Sequence, residues 1–177
     1  AALVVLVGVL LGVPAEAVLT IEIKKGTQGA TPIAIVPFGF SGAARPPEDL
    51  AAIVNADLAR SGRFSPIASA DLPSRPSDLA QVDVADWRLL GTSHIVIGRI
   101  RAIPGGQYAV EFWLVDVFGG KHVAFGPLNA APADLRRTAH QISDAVYQRL
   151  TGERGAFDTR VAYITETGRG EGRKYQL

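Results

Sequence analysis

Residues 32–38, Pro-Ile-Ala-Ile-Val-Pro-Phe, are a continuous apolar run between a Gly-containing polar stretch (25–30) and a loop-like one (39–47). A strand with one wet face alternates apolar with polar residues. A run with no polar break suits a strand buried on both faces, and hence a central one. The rest of the chain has to supply neighbours for its edges and layers for its faces.

The segments that follow read as those neighbours. Pro46-Pro47 and then Glu48-Asp49 mark a helix start, with proline in the first turn and acids at the positive end of the dipole. Leu50, Ile53, Val54 and Leu58 form its apolar stripe, and Ser61-Gly62 ends it. Residues 64–68 suit a short strand, 72–77 a Pro- and Ser-rich connector, and 84–90 a short helix stopped by Gly91. Residues 94–102 and 108–117 read as strands joined at Pro104-Gly105-Gly106-Gln107, and Gly119-Gly120 turns the chain into a third strand over 122–125. Pro132 and Asp134 open the longest helix, with Leu135, Ala139, Ile142, Val146 and Leu150 on one face and Thr151-Gly152 at its end. Early crossovers imply parallel pairing and later hairpins antiparallel pairing. The expected fold class is α/β: a mixed five-stranded sheet with helices packed on it.

Both ends of the chain depart from this pattern. Residues 3–13 are apolar but for Gly8 and Gly12, Pro14 closes the run, and Ala15 and Ala17 flank Glu16 as small residues flank a signal cleavage site. The run is shorter than the roughly 20 apolar residues that span a bilayer. A basic leading segment and an initial Met are absent, so residues 1–17 read as an export signal truncated at its start, cut at Ala17. The new end, Val18-Leu19-Thr20-Ile21-Glu22-Ile23-Lys24, alternates like a half-buried strand held by one covalent tether. Such a strand is free to pair with its own sheet or with a partner. At the other end, residues 160–165 alternate again, 168–172 form a Gly-rich loop, and Tyr175-Gln176-Leu177 begins a partner strand. One hairpin cannot bury its own apolar face. Residues 18–152 are therefore expected to form the α/β domain, and 153–177 a linker and the first strands of a second unit.

Little here points to catalysis. There is no Cys, which excludes disulfides, thiolate zinc sites and thiol nucleophiles, and the net charge of +1 is too mild to argue for nucleic acid. His94, His122 and His140 fall on different elements without metal-ligand spacing, so they read as surface or structural residues. Asp49 and Asp57 on the first helix read as a cap or solvated positions, and Gly105-Gly106-Gln107 as a turn. Gly168-Arg169-Gly170-Glu171-Gly172 has no helix after it to hold a phosphate. No Gly-x-Ser-x-Gly occurs. The balance favours a binding protein.

Several phrases in order carry a family resemblance. They are the strand 19–23, the run 32–38, and Ile53-Val54-Asn55-Ala56-Asp57-Leu58-Ala59-Arg60-Ser61-Gly62-Arg63-Phe64-Ser65-Pro66. Trp87 with Leu90-Gly91, and Leu114-Val115-Asp116, match too. The most specific are Ala139-His140 through Ser143-Asp144, Leu150-Thr151-Gly152, Gly155-Ala156-Phe157 and Thr159-Arg160-Val161-Ala162-Tyr163. In these the chain resembles the amino-terminal part of the TolB family, periplasmic members of the Tol–Pal envelope system of Gram-negative bacteria. The resemblance implies an α/β domain similar to the anticodon-binding domains of class II synthetases, without their role, followed by a six-bladed propeller. In that family the propeller binds the lipoprotein Pal, and the mature N-terminal strand contacts the periplasmic domain of TolA. The expectation is thus a periplasmic, non-enzymatic adaptor with no cofactor, metal or nucleic acid, peripheral to the membrane through its partners. TolA would meet residues 18–24, and Pal only a full-length protein. The alternative is an exported nucleotide- or polymer-binding module, which rests on fold analogy alone.

Overall fold

The computed structural model describes residues 29–159, 164–167 and 174–176. The expected leader and the alternating segment 18–24 lie outside the described residues. The apolar run does form the inner strand β1 (Thr31–Ile35), with Ile33, Ala34 and Ile35 at most 4% exposed. It pairs in parallel with β3 (Phe64–Pro66) on one edge and β4 (His94–Ile103) on the other. From β4 the sheet continues through antiparallel hairpins to β5 (Gln107–Asp116) and β6 (His122–Ala130), in the order β3-β1-β4-β5-β6. Gly105 and Gly106, at φ +82° and +70°, make the turn between β4 and β5.

The mixed pairing, parallel early and antiparallel later, is as expected, and a short sixth strand adds to the five. Residues 39–47 read as loop, but β2 (Gly39–Ser41) pairs in parallel with the far half of β4, Gly39 opposite Arg99. Gly98 makes room for this path: a Cβ there would stand 2.8 Å from the Phe38 ring. The chain therefore leaves β1, lays Phe38 over a bare stretch of β4, and rejoins the same strand further along.

Successive residues of β1 face opposite layers, and each layer has its own core. Ile33 and Ile35 pack with Leu50, Val54 and Leu58 of α1 (Leu50–Arg60) and Leu135, Ile142 and Val146 of α3 (Leu135–Thr151). Ala34 and Val36 pack on the other side with Trp87, fully buried on α2 (Val84–Leu89). At about 25 cal/mol per Å² of apolar surface, each large side chain buried this way contributes roughly 1.5–3 kcal/mol.

Several boundaries differ from the sequence reading: β1 ends at Ile35, short of Phe38, and β3 ends at Pro66, short of Ala68. Helix α1 starts at Leu50, not at Pro46. Asp49 is its N-cap, accepting from Ala52 N at 3.0 Å, and Glu48 instead pairs with Arg136 of α3 at 3.2 Å. Strand β6 runs five residues past Phe125, because the ladder shifts register between Val110 and Phe112 and takes Gly126 into the strand at φ +103°. In the tail, β7 (Thr165–Thr167) pairs antiparallel with β8 (Lys174–Gln176), while residues 160–163 of the expected strand lie outside the described residues. Among the described residues no helix is long and apolar enough to cross a membrane.

Candidate functional site

Strand addition needs an open sheet edge. The sheet ends on β3, three residues long, and on β6, nine residues long, which pairs only with β5 among the described residues. Pro127 lacks an N–H and divides the β6 edge into a stretch before Gly126 and one from Leu128 to Ala130. The chain enters β1 at Thr31, whose N–H bonds Arg63 O at 2.9 Å. Parallel pairing of β1, β3 and β4 puts that entry at the same end of the sheet as the starts of β3 and β4. His94 opposite Asp116 and Val115 opposite His122 bring the end of β5 and the start of β6 there as well.

A cavity of about 300 Å³ opens at this end, lined by His94, Leu114, Asp116, Lys121, Val123 and Arg149. Asp116 Oδ1 accepts from the Gly119 N–H at 2.8 Å and the Phe118 N–H at 3.0 Å. The Gly119 bond chiefly holds this carboxyl below its usual value, with burial opposing and Phe118, His94 and Lys121 assisting. Burial lowers the pKa of His94, against the pull of Asp116, so its ring favours the neutral form. Its Nδ1 is buried without a hydrogen-bond partner among the described residues.

The second polar cluster overturns one expectation. Asp57 is neither solvated nor a cap: it is 1% exposed, between α1 and α3. Its Oδ2 accepts from Ser143 Oγ at 2.8 Å and lies 2.7 Å from His140 Nδ1, while Arg60 reaches Oδ1 at 3.5 Å. His140 is thus a structural residue, as expected, but one engaged with a buried carboxyl. Serine and histidine both turn to the same aspartate rather than to each other, so the trio lacks the serine–histidine contact that activates a nucleophile. A signal was present in the sequence. Asp57 stands three residues after Val54 and Ser143 four after Ala139, each on the apolar stripe of its helix.

Beyond α3 the chain folds back on the helix. Gly152, at φ +76°, ends α3. Phe157 N and Asp158 N then donate to the two carboxyl oxygens of Asp144, at 2.8 and 3.1 Å. Asp158 accepts from Arg137 at 3.1 Å and from Gln141 at 3.2 Å. Partial burial would raise the Asp158 pKa, but these bonds and the Arg137 charge outweigh it and hold the carboxyl below its usual value.

Among the residues singled out from sequence, then, Asp49 caps α1, and His94, His122 and His140 sit on separate elements. Ala15, Ala17 and residues 18–24 lie outside the described residues. No three His, Asp or Glu side chains among the described residues are grouped to hold a metal ion.

Comparison with known proteins places this geometry. The family model of the TolB amino-terminal domain matches residues 19–123. The Tol-Pal system protein TolB of Thioalkalivibrio sulfidiphilus is 45% identical over 169 residues, which are 95% of this chain and 39% of that protein. The protein of the same name from a Marinomonas species is 47% identical over 155 residues, 87% of this chain and 36% of that one. The chain therefore spans under two fifths of the length of these relatives. The crystal structure of TolB from Acinetobacter baumannii superposes with a TM-score of 0.65 at 36% identity, over 76% of this chain and 32% of that one. With more than half of its residues matched by that model, the chain belongs to the TolB family.

Proposed function

We propose that this chain is the amino-terminal part of a non-enzymatic periplasmic adaptor of the Tol–Pal system. It acts by offering the strand Val18, Leu19, Thr20, Ile21, Glu22, Ile23, Lys24 to the periplasmic domain of TolA, in the service of outer-membrane integrity and invagination at division. Residues 1–17 are its export signal, cut at Ala17, and 153–177 lead into a propeller that binds Pal in the longer protein. The observation that carries this reading is the family match, which opens at residue 19, the second residue after the expected cut.

Strand exchange gives the adaptor its two states. In one, residues 18–24 add to an edge of their own sheet; in the other they pair with TolA. The reach supports this. The seven steps from Lys24 to Thr31 cover up to about 23–25 Å at ~3.3–3.6 Å per residue. Strands lie about 4.8 Å apart, so the positions outside β3 and outside β6 are roughly 10 Å and 19 Å from β1. Both edges fall within the tether.

The test is to delete residues 18–25 and titrate the TolA periplasmic domain. Binding should be lost while the thermal transition of the domain survives. Undiminished affinity in the folded deletion would end the proposal.

A further inference from the structure

We infer that residues 153–159 form a latched strap that makes the chain, as far as Thr159, one rigid body with the α/β domain. A linker between units is ordinarily a polar, weakly held stretch, and relative motion across it is the default. This one is held at every turn. Glu153 N bonds Thr151 Oγ1 at 3.1 Å, and the Glu153 carboxyl accepts from Tyr147 OH at 3.3 Å, with Arg63 at 3.9 Å. Gly155 lies so close to Asp144 that a Cβ there would collide with the carboxyl oxygen. Asp144 takes the two successive N–H groups of Phe157 and Asp158, and Arg137 and Gln141 hold the Asp158 side chain. The Phe157 ring packs edge-on to Tyr147 at 5.8 Å, and Tyr147 packs edge-on to Phe64 of β3 at 6.0 Å. Thr159 Oγ1 closes the strap on Ala156 O at 3.1 Å.

The contacts divide the work. The Asp144 carboxylate fixes the backbone, because two N–H groups on one carboxylate set both position and direction. Phe157 anchors the strap on the helical core layer, and the exposed Asp158–Arg137 pair is the weaker part, screened by salt. A pull on the sheet is thereby passed through α3 to Thr159, instead of being absorbed in a loose joint at the end of the helix. This holds whichever partner residues 18–24 meet.

The Cys-free chain suits paired spin labels. With labels at Leu89→Cys and Ala156→Cys, both exposed, the intact chain should give one narrow distance distribution. The amides of Phe157 and Asp158 should exchange with solvent at least about tenfold more slowly than in an open loop. Asp144→Ala should broaden the distances and remove the slowing at these two amides, while Ile95 and Val96 in β4 keep theirs. If Asp144→Ala unfolds the domain, Gly155→Val, which drives a side chain into the carboxyl, replaces it. Broad distances or fast amides in the intact chain would overturn the strap. So would a folded variant in which neither changes.

Discussion

Ser143→Ala tests whether the buried Asp57 carboxyl joins α1 to α3. The Ser143 hydroxyl has one proton and two acceptors in range, Asp57 Oδ2 at 2.8 Å and Ala139 O at 3.0 Å. Asp57 accepts from a helix on which its partners lie 83 and 86 residues away in sequence. If the proton goes to the carboxylate, its loss removes a hydrogen bond to a charged, water-excluded group, about 1.5–3 kcal/mol. For a domain of about 130 residues the unfolding entropy near Tm is roughly 0.27 kcal/mol/K, so ~2 kcal/mol lowers Tm by about 7 °C. If the proton goes to Ala139 O instead, the bond is local to α3 and the substitution costs little. Thermal and urea denaturation of Ser143→Ala, Asp57→Asn and the double variant separate the two. Asparagine keeps the shape of Asp57 without the charge, so Ser143→Ala should cost about 1 kcal/mol less in that background. Equal costs in the two backgrounds, within about 0.5 kcal/mol, would refute the interhelical bond.

Two further outcomes follow from single residues. The folded-state pKa of Asp116 lies below the ordinary aspartate value, so its contribution is present above the unfolded-state pKa and is lost as pH falls through the folded value. Asp116→Asn should therefore be less stable than the native chain above about pH 4, with the gap closing on acidification; a pH-independent gap would contradict the turn-holding role. Gly126→Ala should destabilise more than Gly62→Ala. Both have positive φ, but a Cβ at 126 would stand 2.7 Å from Val110 O, and one at 62 meets nothing within 4 Å. Of order 1–3 kcal/mol is expected for the first and about 1 kcal/mol for the second, measured by urea denaturation.

The legible parts of the fold are those whose cause is local. The run 32–38 has no polar break, so the double burial of its middle, Ile33 to Val36, could be read directly. The Gly105-Gly106 turn and the Gly62 and Gly152 helix ends follow from backbone freedom at single residues. The missed parts depend on residues far away in sequence. Strand β2 exists because Gly98, some sixty residues on, leaves space for Phe38, and three residues carry no periodicity. Asp57 looks the same in sequence whether solvated or buried. What decided its burial was His140 and Ser143 on another helix, and only its place on an apolar stripe gave a hint. The extension of β6 was hidden because Gly126-Pro127 reads as a break, and the register shift in β5 that accommodates it has no sequence signature.

The same contrast bears on how an adaptor of this kind is divided. In the mechanism proposed above, its exchangeable element is local: residues 18–24 alternate in sequence, and their pairing would use only backbone hydrogen bonds. Its transmitting element is non-local: Asp144, Tyr147 and Arg137 on α3 all act on Glu153–Thr159, and Tyr147 also reaches Phe64 in the sheet. An exchangeable strand tolerates sequence change that keeps its alternation, because partner and sheet both read the backbone. A strap built on one carboxylate and one glycine does not, since Gly155 has to stay bare for Asp144 to hold two N–H groups. Substitutions that conserve alternation in residues 18–24 should therefore leave TolA binding within a fewfold of the native value, while the single methyl of Gly155→Ala should already loosen the strap.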